Sequence, residues 1–179
     1  MTSYLITGGS RSGKSRYALE LAKSAKKPFY IATGWAGDDE MAERISKHRK
    51  ERGKHWTTIE TKTDIASAIG KAERKGADYI IVDCLTLWVS NMMFEKTNIE
   101  KELKTTISVI KASRKAVLIF VTNEIGSGIV PADKISREFR DAAGLVNQKI
   151  AAAADNVVLT VCGQALYIKK YVVFNHGTH

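Results

Sequence analysis

The sequence predicts an α/β fold, a mostly parallel β-sheet with helices on both of its faces. Three observations predict it. Short β-branched runs alternate with helical patterns from end to end, the order produced when crossover helices join parallel strands of one sheet. The strand segments are nearly continuously apolar rather than alternating, as strands covered on both faces should be. The first of them runs directly into a glycine-rich turn that opens a helix.

In chain order, the first strand is read at residues 4–7 (Y-L-I-T). A helix follows over 14–25, where Tyr17, Ala18, Leu21, Ala22 and Ala25 recur at the spacing of one buried stripe and Pro28 lies just beyond the end. Residues 29–32 form the second strand. The segment from Asp38 to about Arg52 opens with three acids, which suit the positive end of a helix. A weaker strand is read at 56–59. Further on come a helix over 63–75 that stops before Gly76, a strand at 79–82, an amphipathic helix over 98–113 and a strand at 116–121. A long helix over 132–154 then sets Phe139, Ala143, Val146 and Ile150 near one face, followed by a strand at 157–161 and a weaker one over 166–174. No repeat or Pro/Gly-rich linker interrupts this order, and both prolines, Pro28 and Pro131, sit at element boundaries. The expectation is one domain over residues 1–170 with a tail at 171–179.

The 179 residues, 44% hydrophobic and 26% charged, are enough for a hydrophobic core without disulfides or a structural metal. Cys84 and Cys162 are too few for a disulfide framework and form no zinc spacing, which makes a reducing cytoplasm the expected compartment. No apolar run is long enough to span a bilayer, and the first residues lack the features of a secretory signal. The net charge of +9 favours an anionic partner: nucleotide, phosphorylated metabolite or nucleic acid. Most lysines are scattered as on solvated helix faces. Residues 47–54 differ, with five cations, His48 and a single acid, Glu51, and with His55 next along the chain.

The run Gly8-Gly9-Ser10-Arg11-Ser12-Gly13-Lys14-Ser15 matches the phosphate-binding pattern G-x-x-x-x-G-K-[ST] between a strand and a helix. Glycines let backbone N–H groups curl around a β-phosphate, the helix N-terminus adds positive potential, Lys14 reaches the β- and γ-phosphates, and Ser15 offers a hydroxyl to Mg2+. Ser10 and Ser12 read as spacers, and Arg11 is open between phosphate and solvent. A second acid for the metal is expected at the end of another buried strand, where Asp83 stands, although strands also end in Asp simply to cap a turn. Cys84 beside it reads as a packing residue.

Glu40, Arg44, His48 and Arg52 recur every four residues, which by itself reads first as a solvated helix face and second as a stripe that presents a nucleophilic imidazole among cations. His55 is the competing histidine, placed beside Trp56 at the start of a strand. The loop 122–131 leaves a strand's carboxyl end, where open α/β sheets bind ligands, so Asn123 and Glu124 point toward the site unless the segment is a plain turn. Glu124 is read as a group that positions or deprotonates the attacking hydroxyl. Trp35, Trp56 and Trp88 read as core or rim residues, with Trp35 able to border a nucleotide.

Taken together, T-G-G-S-R-S-G-K-S (7–15), Y-I-A-T (30–33), D-D-E-M-A-E-R-I-S-K-H-R (38–49), V-D-C-L-T-L-W-V-S-N (82–91), T-N-E-I-G-S-G-I-V-P (122–131) and F-R-D-A-A-G-L-V-N-Q (139–148) resemble the adenosylcobinamide kinase/adenosylcobinamide-phosphate guanylyltransferase family of cobalamin biosynthesis. The resemblance implies a P-loop NTPase with a RecA-like sheet and two reactions in one chain. A nucleoside triphosphate, ATP or GTP, phosphorylates the hydroxyl of adenosylcobinamide. GMP then passes from GTP to the resulting phosphate through a guanylylated histidine, releasing pyrophosphate. It implies His48 as the nucleophile and nucleotide contacts at Gly8, Gly9, Ser10, Arg11, Ser12, Gly13, Lys14 and Ser15, at Thr33, Gly34 and Trp35, at Lys50, Glu51, Arg52 and Gly53, at Glu60 and at Asp83. Mg2+, a corrinoid substrate and a homotrimer with its site near subunit boundaries are implied in the same way. Where many relatives have Arg-Pro, this chain reads Arg52-Gly53, and residues 171–179 match nothing in the family's pattern.

Two other functions fit parts of the sequence. One is a plain P-loop kinase of a small metabolite, in which the histidine stripe is a solvated face. The other is a RecA-like ATPase or nucleic-acid-binding module, which the positive charge suits; against it, the cations do not alternate with exposed aromatics, and nucleic acid is not an expected partner.

Overall fold

The computed structural model describes residues 2–34, 53, 55–113 and 115–170. The helix expected over 38–52 lies outside the described residues, and with it His48, Lys50, Glu51 and Arg52; so do Trp35 and the tail 171–179.

The elements are β1 (Ser3–Gly8), α1 (Lys14–Leu21), β2 (Pro28–Ala32), β3 (Thr57–Glu60), α2 (Ile65–Arg74), β4 (Tyr79–Asp83), α3 (Leu85–Phe94), α4 (Ile99–Ala112), β5 (Val117–Val121), α5 (Lys134–Ala153), β6 (Asn156–Val161) and β7 (Gln164–Lys169). One seven-stranded sheet runs in the order β3-β2-β4-β5-β1-β6-β7. Every neighbouring pair is parallel except β6 with β7. The carboxyl ends of β1 to β6 therefore share one edge.

The continuous apolar runs resolve into two alternating faces, because successive strand residues point to opposite sides. Leu5, Phe29, Ile31, Ile80, Val82, Leu118 and Phe120 pack beneath α2, α3, α4 and α5. Ile6, Tyr30, Ile81, Ile119, Val121 and Val158 pack on the other side with Ala18 of α1 and Ala22 at its C-cap. Both faces are covered, as expected for a mostly parallel sheet.

Three details depart from the sequence expectation. Helix α1 stops at Leu21, not at 25, and the chain turns before Pro28, which begins β2. Strand β7 spans Gln164–Lys169 and is exposed throughout. Helix α3 was not expected at all. Its residues L-T-L-W-V-S-N-M-M-F are apolar almost all round, so no amphipathic period marks it; it forms because Leu85, Trp88, Val89 and Met92 are fully buried against other elements.

The helix starts differ in a way that bears on function. The side chains of Asp64, Asn98 and Asp133 cap α2, α4 and α5, each accepting a backbone N–H from three residues on. No side chain caps α1, whose first residue is Lys14 and whose cap is Gly13. Its N-terminal amides are left for another acceptor.

Candidate active site at the carboxyl edge of the sheet

The turn from β1 to α1 is shaped by its glycines. Gly8 has φ +154°, and a Cβ there would stand 2.4 Å from the Thr160 carbonyl oxygen and 2.7 Å from the Ser12 hydroxyl. Gly13 has φ +100°, a left-handed conformation that glycine adopts without strain. Arg11 also has positive φ, and its side chain is exposed.

Lys14 is buried, and its Nζ donates to the Gly9 carbonyl at 2.5 Å and stands 3.5 Å from the Ser12 hydroxyl. Burial pushes its pKa below the usual lysine range, and the nearby Asp83 opposes that shift. A lysine held over a loop carbonyl, beside open helix amides, is arranged to exchange that contact for an anion.

Asp83 ends β4, two strands from β1 across β5. Its Oδ2 accepts the Ser15 hydroxyl at 3.1 Å and the Tyr30 hydroxyl at 2.6 Å. The phosphate loop and the strand-end acid are thus brought into direct contact. Beside them, Thr33 N donates to the Asp83 carbonyl, and the Thr33 hydroxyl contacts both the N–H and the carbonyl of Cys84 at 2.7 Å. The Cys84 thiol is pushed up to about 12 by burial and by Asp83, so it stays protonated as a packing residue.

The other expected contacts lie farther along the edge. Gly34 follows Thr33 at the end of β2, and Glu60 is exposed at the end of β3. Four strand spacings of about 4.8 Å separate β3 from β1, so Glu60 sits roughly 19 Å from the phosphate loop. Gly53 and His55 are exposed, and the His55 ring lies against Trp56 at 5.9 Å between centroids.

The loop after β5 reaches the site through its backbone: Glu124 N donates to the Gly8 carbonyl at 3.0 Å. Its carboxylate turns back on its own loop, accepting the N–H groups of Gly126 at 2.7 Å and Ser127 at 3.3 Å. The Ser127 side-chain hydroxyl, with help from the Gly126 and Ser127 amides, holds the carboxyl below its ordinary pKa. Asn123 N donates to the Thr86 hydroxyl at 2.7 Å, and Thr122 donates to Asn147, so the loop is anchored to α3 and α5.

The family described as cobinamide kinase/cobinamide phosphate guanyltransferase matches residues 4–168, which include the whole of this edge. The chain belongs to that family. It is 40% identical, over 92% of its length and 98% of the relative's, to the bifunctional adenosylcobalamin biosynthesis protein CobU of Salmonella typhimurium. It is 38% identical to the bifunctional adenosylcobalamin biosynthesis protein CobP of Pseudomonas aeruginosa, over 92% of this chain and 96% of that one. Among solved structures, a prototypical ATPase from the type III secretion system of pathogenic bacteria superimposes with a TM-score of 0.60 at 10% identity, covering 88% of this chain and 50% of that one. At that identity the likeness shows the fold, a RecA-like P-loop sheet, and nothing more. No helix among the described residues is long and apolar enough to cross a membrane.

Three residues that touch the phosphate loop or Asp83 carry no sequence signal of that contact. Tyr30 reads as one more strand residue, yet its hydroxyl holds Asp83. Thr160 and Gly163 lie at the far end of the chain, yet they touch the phosphate loop. Only the tertiary contacts reveal them.

Proposed function

We propose that this chain phosphorylates adenosylcobinamide with a nucleoside triphosphate and then transfers GMP from GTP to the product, giving adenosylcobinamide-GDP and pyrophosphate. The observation that carries the reading is the contact between Ser15, in the first turn of an uncapped helix, and Asp83, at the end of β4. Beside that pair, the buried Lys14 is poised over the loop.

In this reading the amides of residues 8–15 receive the β-phosphate and Lys14 neutralises the charge that develops toward the γ-phosphate. Ser15 and Asp83 hold Mg2+. A hydroxyl and a carboxylate oxygen at hydrogen-bond distance are hard donors, and with phosphate oxygens and water they suit that ion. Bound there, Mg2+ supplies charge neutralisation across the phosphates. Tyr30 keeps the Asp83 carboxylate turned toward Ser15.

The guanylyl step is assigned to His48 by family resemblance. Neutral imidazole attacks the α-phosphorus of GTP, the bond to the β-phosphate oxygen breaks and pyrophosphate leaves; the phosphate of adenosylcobinamide phosphate then displaces the imidazole. Gly34 and Glu60, at the ends of β2 and β3, are assigned to the nucleotide's base and sugar, with Thr33 buried behind them and holding the Asp83-Cys84 backbone. A homotrimer and a cytoplasmic setting belong to the same proposal, the first tested by the mass of the protein in solution.

Replacing His48 by alanine separates the two reactions. Phosphorylation of the corrinoid continues, because direct γ-phosphoryl transfer to a hydroxyl needs no protein nucleophile, while adenosylcobinamide-GDP is no longer formed. Product analysis by mass spectrometry reads both outcomes at once, and GDP-product formation at the wild-type rate would remove His48 from the mechanism.

A further inference from the structure

A phosphate loop without its anion points several N–H dipoles at one spot, and like partial charges repel. Something besides the ligand must hold that shape. Ser12 and Thr160, 148 residues apart and both buried, share a hydrogen bond between their hydroxyls at 2.8 Å. The Thr160 hydroxyl donates onward to the Thr7 carbonyl at 3.3 Å, so Ser12 donates and Thr160 accepts in the shared bond. Two residues beyond β6, the Gly163 N–H donates to the Ser12 carbonyl at 3.0 Å.

The turn between β6 and β7 is built to make that approach. Cys162 and Gly163 have φ of 50° and 77°, positive at both central residues as in the tight hairpin turns whose twist matches the flanking strands. The packing leaves no slack: a Cβ on Gly13 would stand 3.1 Å from the Gly163 Cα. The space for a Cβ on Gly8 is likewise taken by Thr160. Two outer contacts tie the hairpin to α1, Arg16 to the Gly163 carbonyl at 3.3 Å and Tyr17 to the Tyr167 hydroxyl at 3.0 Å.

We infer that the β6–β7 hairpin is a clamp that holds the phosphate loop in its nucleotide-binding shape, with Thr160 as a positioning residue that acts through Ser12. Thr160 touches no substrate; it fixes the strand-to-helix turn whose amides do. The inference rests on the reading of residues 8–15 as the nucleotide's phosphate site. A hydroxyl pair shut away from water is strong, and loss of one partner strands the other, so the loop relaxes when Thr160 loses its oxygen.

The test is GTP affinity by calorimetry with Mg2+ present, on the full chain and on Thr160→Val, Thr160→Ser, Ser12→Ala and the Ser12→Ala/Thr160→Val pair, with urea midpoints measured alongside. Thr160→Val keeps the shape and drops the hydroxyl, and it weakens GTP about tenfold, or ~1.4 kcal/mol. Thr160→Ser keeps the hydroxyl and loses a buried methyl; it is the less stable of the two in urea yet binds within about twofold of wild type. The double variant binds no worse than the weaker single, because both substitutions remove one bond. Wild-type affinity in Thr160→Val, affinities that follow the urea midpoints, or additive losses in the double variant would overturn the clamp. Lys14→Ala distinguishes this failure from a deeper one: if it binds GTP as wild type does, the phosphate-site reading itself is wrong and the clamp falls with it.

Discussion

Asp83 closes β4 and Glu124 lies just beyond β5, two adjacent central strands whose ends meet the same edge of the sheet, and the structure gives the two acids opposite partners. The Asp83 carboxylate faces outward from its own strand to Ser15 of the phosphate loop and Tyr30 of β2. The Glu124 carboxylate is consumed by its own loop, at Gly126 and Ser127, while its backbone N–H is what touches β1. Position at a strand end therefore brings a residue to the site without assigning it chemistry. What the carboxylate oxygens accept separates the two: the phosphate-loop serine and a neighbouring strand's tyrosine in one case, which the proposed function reads as a metal-holding acid, and its own loop in the other.

The largest expected effect follows from the first half of the comparison. Asp83→Asn lowers the rate of both transfers by about a hundredfold or more at saturating nucleotide, since in the proposed function it removes the charge that would hold Mg2+. An unchanged magnesium titration would take Asp83 out of the metal site. Tyr30→Phe comes next. It deletes only the hydroxyl that orients Asp83 and raises the Mg2+ concentration needed for half-maximal rate about tenfold, with little change in the maximal rate. Equal loss in both would mean that Tyr30 serves packing rather than orientation.

Lys14 sharpens the comparison through stability. Its ammonium is buried and its folded pKa lies below the unfolded value of 10.5, so at neutral pH the folded state carries a desolvation cost. Lys14→Met, inactive in both reactions, therefore melts higher than the nucleotide-free wild type. Between the lowered pKa and 10.5 the unfolded wild type binds the proton that the folded form has released, so wild-type stability rises with pH and the gap closes. A gap that widens there would reverse the assignment.

The smallest effect belongs to Glu124. Glu124→Gln changes either rate by less than about threefold, because the carboxylate holds a loop and not a reacting proton. Its folded pKa is depressed, so its contribution to stability is present above the ordinary value of 4.5 and is lost as pH falls through the lowered one. Melting temperatures of wild type and variant therefore converge in acid. A rate loss as large as that of Asp83→Asn would restore Glu124 to the chemistry and erase the contrast.

The same two acids show how far the sequence is legible. The phosphate loop and Asp83 can be read because their constraint is local: a strand, a glycine turn and a helix in one run, and an acid at the end of a buried strand. The central strands can be read because burial on both faces demands continuous apolar residues. The direction of the Glu124 carboxylate cannot, since it depends on where the turn through Gly126 and Ser127 presents its amides. Helix α3 stays hidden because burial nearly all round removes the period that marks a helix. Tyr30 and Thr160 stay hidden because their partners lie 53 and 148 residues away, beyond the reach of any pattern. His48 is legible only through the family's motif, and it lies outside the described residues.

In the proposed function one phosphate loop serves a covalent guanylyl transfer as well as a kinase reaction. Incubation with GTP labelled at the α-phosphorus in the presence of Mg2+, followed by peptide mapping, tests it most directly. Acid-labile, alkali-stable label is expected on the peptide that holds His48, and none in Lys14→Ala. Label on a peptide carrying His55 instead, no stable label at all, or undiminished label in Lys14→Ala would contradict it.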